Sequence, residues 1–162
     1  MAENLDPPIF EDWSPQMGIA KCVGNEWTLP RRVASGKLSV HPGAMGIQFG
    51  QSVFEGCKAC WNRTGPARLF RMDEHYKRLV ASCERLLMPV PPEEIFLAAV
   101  AGQAKDAASW SSPFSSVTLY IRPLIFGEDD HVMPLPSLRA TFVVLSAPLR
   151  QSSDKGLVLF AE

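Results

Sequence analysis

The sequence has no run approaching the roughly 18 consecutive apolar residues of a membrane-spanning helix, so no such helix is expected. It has no excess of charge of either sign. Sixteen Lys and Arg against 17 Asp and Glu leave a net charge of −1, which excludes a basic nucleic-acid module. The 46% apolar and 20% charged fractions exclude a disordered tail and a collagen-like fibre. The start, Met1-Ala2-Glu3-Asn4-Leu5-Asp6, is acidic and has no apolar h-region. A signal peptide or Arg-rich transit peptide is therefore not expected, and the chain reads as a cytoplasmic globular protein. Cysteine is scarce, with Cys22, Cys57, Cys60 and Cys83 expected as free thiols. Cys57-Lys58-Ala59-Cys60 matches C-x-x-C, but no second C-x-x-C or H-x-x-x-H supplies further metal ligands. The motif falls in a predicted strand, where residues three apart face opposite sides, so no metal site is expected.

What is present is proline, 14 residues of it, placed at the ends of periodic segments. Residues 1–16 read as an extended lead-in with Ile9, Phe10 and Trp13 as apolar anchors. A hairpin is predicted from Gly18–Val23 and Trp27–Leu29, and a second from Phe54–Trp61 and Ala67–Phe70 around residues 62–66. Gly36–Phe49 reads as irregular. A helix capped by Asp73 and running to about Leu87 is expected to bury Tyr76, Leu79, Val80, Cys83, Leu86 and Leu87. A second helix is predicted over Glu93–Trp110, and strands over Val117–Phe126, Arg139–Ala147 and Gly156–Phe160. The pattern predicts an α+β fold, a mainly antiparallel sheet with two consecutive helices on one face.

In the strand Val117–Phe126, alternation puts Tyr120 and Arg122 on one side. An arginine beside a phenol suits a carboxylate, although a solvated strand face is the simpler reading of spacing alone.

Three blocks carry a resemblance. The stretch from His41 to Ala59, which includes HPGAMGIQFGQSVFEG, resembles the entry of branched-chain amino-acid aminotransferases, pyridoxal phosphate enzymes of fold type IV. Leu69–Asp73 with His75–Leu79 is similar to that family's next block, and Tyr120–Phe126 to its third. The resemblance runs from about Phe10 to Pro148, with wording nearest to filamentous-fungal members. It implies the family's small domain over 17–148, with 149–162 as linker and the start of a larger second domain.

The resemblance implies that Arg78 is a ligand of the cofactor phosphate. By 100° per residue Arg78 lies about 200° from Tyr76, away from the core-facing stripe. It further implies substrate-binding roles for Phe54, as the aromatic wall of the side-chain pocket, and for Tyr120 and Arg122. Phe49 stands where many members have the Tyr of a His-Tyr-Gly triplet, which keeps the ring and drops the hydroxyl. None of the six lysines matches the family's Schiff-base lysine, which lies in the second domain, and no catalytic residue is assigned within this chain. Ala147–Asp154 also lacks the Gly-and-Tyr loop usual between the domains.

The expected activity is thus amino transfer from branched-chain or similar hydrophobic amino acids to 2-oxoglutarate, completed by a lysine-bearing half. The alternatives are an inactive relative serving as a binding or assembly module, and a specialised-metabolism protein working without pyridoxal phosphate. The partners expected are small amino and oxo acids, with no nucleic acid and no membrane. Phe49, Val53, Phe54 and the Leu157–Phe160 strand would leave an apolar face partly uncovered, which favours a homo-oligomer, a separate large-domain half or poor solubility.

Overall fold

Two long strands of alternating or continuous apolar residues make the spine of the molecule. In the computed structural model, which describes residues 13–61, 67–110 and 117–149, these are β7 (Val117–Gly127) and β8 (Arg139–Leu149). They pair antiparallel from Thr118↔Leu149 to Gly127↔Ala140. On the far edge of β8 lies β1 (Gln16–Val23), flanked in turn by β2 (Glu26–Trp27) and β3 (Arg31–Ala34). On the far edge of β7 lie β4 (Ser52–Phe54) and β5 (Cys57–Trp61), and β6 (Arg68–Leu69) closes that side. Every recorded strand pairing is antiparallel, as expected.

Two helices cover one face. α2 (Met72–Arg85) packs on β4, and α3 (Glu93–Trp110) packs on β1, β7 and β8. Between them and the sheet lies the main core, with Phe96 tilted against Tyr76 and stacked on Phe142 at ring separations of 5.3 and 6.1 Å. The buried Gln103 ties α3 to the sheet, donating from Nε2 to the Gln16 carbonyl at 2.8 Å and to Ser146 Oγ at 2.7 Å. A smaller cluster on the opposite face joins Met17, Ile19 and Val143 with Val33, Leu38, Leu124 and Leu145.

Several expectations need correction. Asp73 does not cap α2. The N-cap is Arg71, in the left-handed region at φ 52°, with no side-chain cap, and Asp73 and Glu74 act in the first turn, where the dipole favours anions. Leu86 and Leu87 are exposed rather than buried, because the helix stops at Arg85. Leu87 takes φ 53° there, and the Leu87 and Met88 N–H groups reach back to the Glu84 and Cys83 carbonyls, a Schellman closure before Pro89. Within the stretch read as irregular, a 3₁₀ turn (Ser35–Lys37) and the short α1 (Met45–Gln48) form, and β3 precedes them. Val53 is buried in the main core rather than uncovered, whereas Phe49 and Phe54 are exposed. The 62–66 loop and the Gly156–Phe160 strand lie outside the described residues. Among the described residues no helix is long and apolar enough to cross a membrane.

The segment from Glu128 to Leu138 is organised by Asp129. Its buried carboxylate accepts the Leu138 and Arg139 N–H groups at 2.7 and 2.8 Å, and its carbonyl accepts the Met45 N–H. Asp129→Ala is expected to lower unfolding stability by about 1.5–3 kcal/mol, the usual loss for hydrogen bonds to a charged acceptor. A urea midpoint unchanged within error would contradict that role.

The thiols give a second check. Cys57 and Cys60 emerge on opposite faces, Cys57 buried in the main core and Cys60 exposed beside Thr118. Burial pushes the Cys57 and Cys83 thiols up to about 12, and raises Cys22 as well. At pH 8 a thiol with a pKa near 12 is only about one part in 10,000 thiolate. Alkylation of the native chain at pH 8 should therefore label Cys60 first, with Cys57 and Cys83 reacting only after unfolding. Equal labelling of Cys57 or Cys83 in the folded chain would refute this.

Candidate functional site

One interruption in the sheet shapes the site. The β4–β7 pairing runs to Phe54↔Leu124 and the β5–β7 pairing resumes at Cys57↔Ile121 in the same register. Between them Glu55 falls opposite Pro123. The Glu55 N–H still donates to the Pro123 carbonyl at 2.9 Å, but proline has no N–H to return the second bond. The ladder therefore opens at Glu55 and Gly56, and the pleat sends Phe54 and Glu55 to opposite faces. Gly56 has its own reason. A Cβ there would lie 2.8 Å from the Tyr120 hydroxyl, so only glycine leaves room for that ring.

The face away from the helices gathers Arg122, Tyr120, Phe54 and Trp13. Arg122 donates from Nε and Nη2 to the Tyr120 hydroxyl at 3.1 and 3.0 Å. Its guanidinium carbon lies 4.8 Å from the Phe54 ring centroid, 5.3 Å from Tyr120 and 5.4 Å from Trp13, all within cation–π range. Trp13 and Tyr120 are themselves tilted against each other at 6.3 Å. Leu145, paired with Arg122, and Leu124 extend the apolar surroundings into the smaller cluster. Among the described residues no carboxylate pairs with Arg122. A half-buried guanidinium walled by aromatic rings, with no carboxylate on it among the described residues, is chemically suited to a carboxylate carried on an apolar group.

The face toward the helices holds a second charged group. Glu55 is buried, its side chain only 8% exposed, while the Arg78 side chain is 60% exposed. Arg78 engages Glu55 with both Nε, at 3.0 Å, and Nη2. His75 Nδ1 lies 2.9 Å from the same Glu55 Oε2 and 3.0 Å from Arg78 Nη2. Hydrogen bonding to Glu55, and then its charge, push the Arg78 pKa above its ordinary value, so the guanidinium stays charged. Nη1 makes no hydrogen bond among the described residues. An exposed, oriented guanidinium with that edge open fits a phosphate group.

Tyr120, Arg122 and Phe54 thus come together, and Arg78 lies across the sheet from them beside Glu55. Phe49 keeps other company, lining a cleft of about 270 Å³ with Met45, Gln51, Leu86, Leu87 and Leu135. Gln51 spans that cleft's wall, donating to the Leu86 and Leu135 carbonyls and accepting from Ser137. Sequence reasoning missed Glu55, His75 and Trp13. Glu55 had a readable signal: in the strand alternation it shares a side with Val53 and Cys57, and a carboxylate on an apolar face requires a partner. Trp13 had none, since its contacts come from a strand more than 100 residues away.

Residues 52–158 match the family described as amino-transferase class IV. The chain is 39% identical over 132 residues to the branched-chain-amino-acid aminotransferase of Helicobacter pylori, a match covering 81% of this chain and 39% of that protein. It is 35% identical over 123 residues to the aminotransferase atnJ of Emericella nidulans, covering 75% of this chain and 35% of that one. The fold superposes on the branched-chain amino acid aminotransferase of Escherichia coli with a TM-score of 0.57 and 26% identity, covering 78% of this chain and 39% of that structure. The chain spans about two fifths of the length of these relatives. With an antiparallel sheet, its two covering helices and the three sequence blocks all in place, the chain belongs to the class IV aminotransferases and has the fold of their small domain.

Proposed function

We propose that residues 17–148 form the small-domain side of an active site that moves an amino group between branched-chain or similar hydrophobic amino acids and 2-oxoglutarate. Residues 149–162 begin the connection to a lysine-bearing part, either in the same chain or as a separate half, working as an oligomer. Pyridoxal phosphate, when bound, supplies the electron sink that this transfer needs. Arg78 would hold its phosphate through the open edge of the guanidinium. Arg122 would bind the carboxylate of the amino or oxo acid, and the Tyr120 hydroxyl would orient the guanidinium. Phe54 and Trp13 would exclude water and receive apolar substrate surface. The observation that carries this reading is Arg122 itself: a guanidinium fixed by Tyr120, enclosed by three rings and left without a carboxylate partner among the described residues.

The test joins this chain to the lysine-bearing portion of the Escherichia coli relative and measures steady-state kinetics and cofactor retention. Arg122→Ala should raise the KM for 4-methyl-2-oxopentanoate at least roughly tenfold with cofactor retained, the loss expected for hydrogen bonds to a charged partner. Arg78→Ala should instead release cofactor while the KM of the reloaded enzyme changes little. If both variants stay within about a factor of two of the parent in both measurements, the assignment fails.

A further inference from the structure

Glu55 and Arg78 differ sharply in surroundings, one buried and the other mostly in solvent. An exposed arginine ordinarily samples many rotamers, and surface ion pairs hold it weakly. Here two parallel contacts, Nε to Oε1 and Nη2 to Oε2, fix the plane of the fork. The carboxylate is itself held in place. Its backbone N–H is bonded to Pro123 at the sheet opening, and His75, with only 13% of its side chain exposed, meets Oε2. Glu55 therefore occupies one edge of the guanidinium and leaves the Nη1 side for a ligand.

We propose that Glu55 is a positioning residue for an anionic phosphoryl group at Arg78, with His75 holding the Glu55 carboxylate in register. This rests on the reading of Arg78 as the phosphate ligand. Two opposed effects make it testable. As a bare negative charge, Glu55 repels an incoming anion, so its neutralisation would strengthen binding. As the group that sets the guanidinium, its removal weakens binding, and only when Arg78 is present. Glu55→Gln keeps size and one acceptor oxygen but turns an amide toward the second guanidinium N–H, which breaks the fork.

The experiment titrates inorganic phosphate into the full 162-residue chain and follows binding by phosphorus NMR, with the thermal midpoint of each variant recorded. Parent, Glu55→Gln, Arg78→Ala and the double variant form a cycle. Glu55→Gln should weaken phosphate binding about fivefold or more with Arg78 present, and change it by less than about twofold in the Arg78→Ala background. Should Glu55→Gln fail to fold, Glu55→Asp, which keeps the charge and shortens the reach, takes its place with the same expected outcome. Tighter binding by Glu55→Gln, or an equal loss in both backgrounds, overturns the positioning role while leaving Arg78 as the ligand. Unchanged binding by Arg78→Ala, or no measurable binding by the parent up to about 50 mM phosphate, overturns the reading of Arg78 and the proposal with it.

Discussion

A missing hydrogen-bond donor at Pro123 governs the functional half of this molecule. Because Pro123 cannot return a bond to Glu55, the strand that would run unbroken from Ser52 to Trp61 divides into β4 and β5 without losing register. Glu55 keeps its donated bond to the Pro123 carbonyl, and with the register unbroken the pleat assigns Glu55 and Gly56 to opposite faces. Glu55 enters the helix-covered side, where a buried carboxylate needs a cation and finds Arg78 on α2. Gly56 leaves the other side open, where the Tyr120 ring fills the space a side chain would take and presents its hydroxyl to Arg122. The opening beside Pro123 thus stands between two arginines of different character, Arg78 on α2 against Glu55 and Arg122 on β7 against Tyr120.

Those arginines differ in how their charge is answered. Arg78 is neutralised by a carboxylate and shared with a histidine, so its orientation is fixed while much of its surface stays wet. Among the described residues Arg122 is answered by a phenol and by the faces of aromatic rings, which orient a guanidinium without cancelling its charge. Both arrangements hold a fork in a fixed plane, and the second does so with no carboxylate among the described residues. The surrounding apolar residues lower the local dielectric and strengthen any carboxylate contact made there. Fixing side chains on strands rather than loops also keeps the geometry narrow, as recognition of a small acid requires.

Much of this was legible in the sequence where the signal is local. The bounds of α3 follow from Pro92 at its entry and an Ala-rich amphipathic run. Period-two alternation places Tyr120 and Arg122 on one face, and the structure brings Phe54 to them. The rest depends on packing that no local pattern encodes. Asp73 looks like a cap, but Arg71 enters the left-handed region and starts the helix earlier. Leu86 and Leu87 keep the helical rhythm in sequence, but the chain has left the helix before it reaches them. The Glu55–Arg78–His75 cluster needs α2 laid across the sheet opening, and Trp13 reaches Arg122 only because β1 and β7 share β8 as neighbour. Phe49 resembles a substrate-side ring by motif, yet its neighbours are those of the cleft beside α1 and the end of α2.

The central claim is that Arg122, framed by Tyr120, Phe54 and Trp13, receives a carboxylate on an apolar group. The most direct measurement is an NMR titration of the chain with 4-methyl-2-oxopentanoate and, separately, with the corresponding amide. It would follow the Arg122 Nε–H and Trp13 indole N–H resonances. The account predicts that the acid moves both resonances together along one saturating curve and that the amide moves neither appreciably. Shifts confined to residues around Phe49, Leu86 and Leu135, or equal responses to acid and amide, would contradict it.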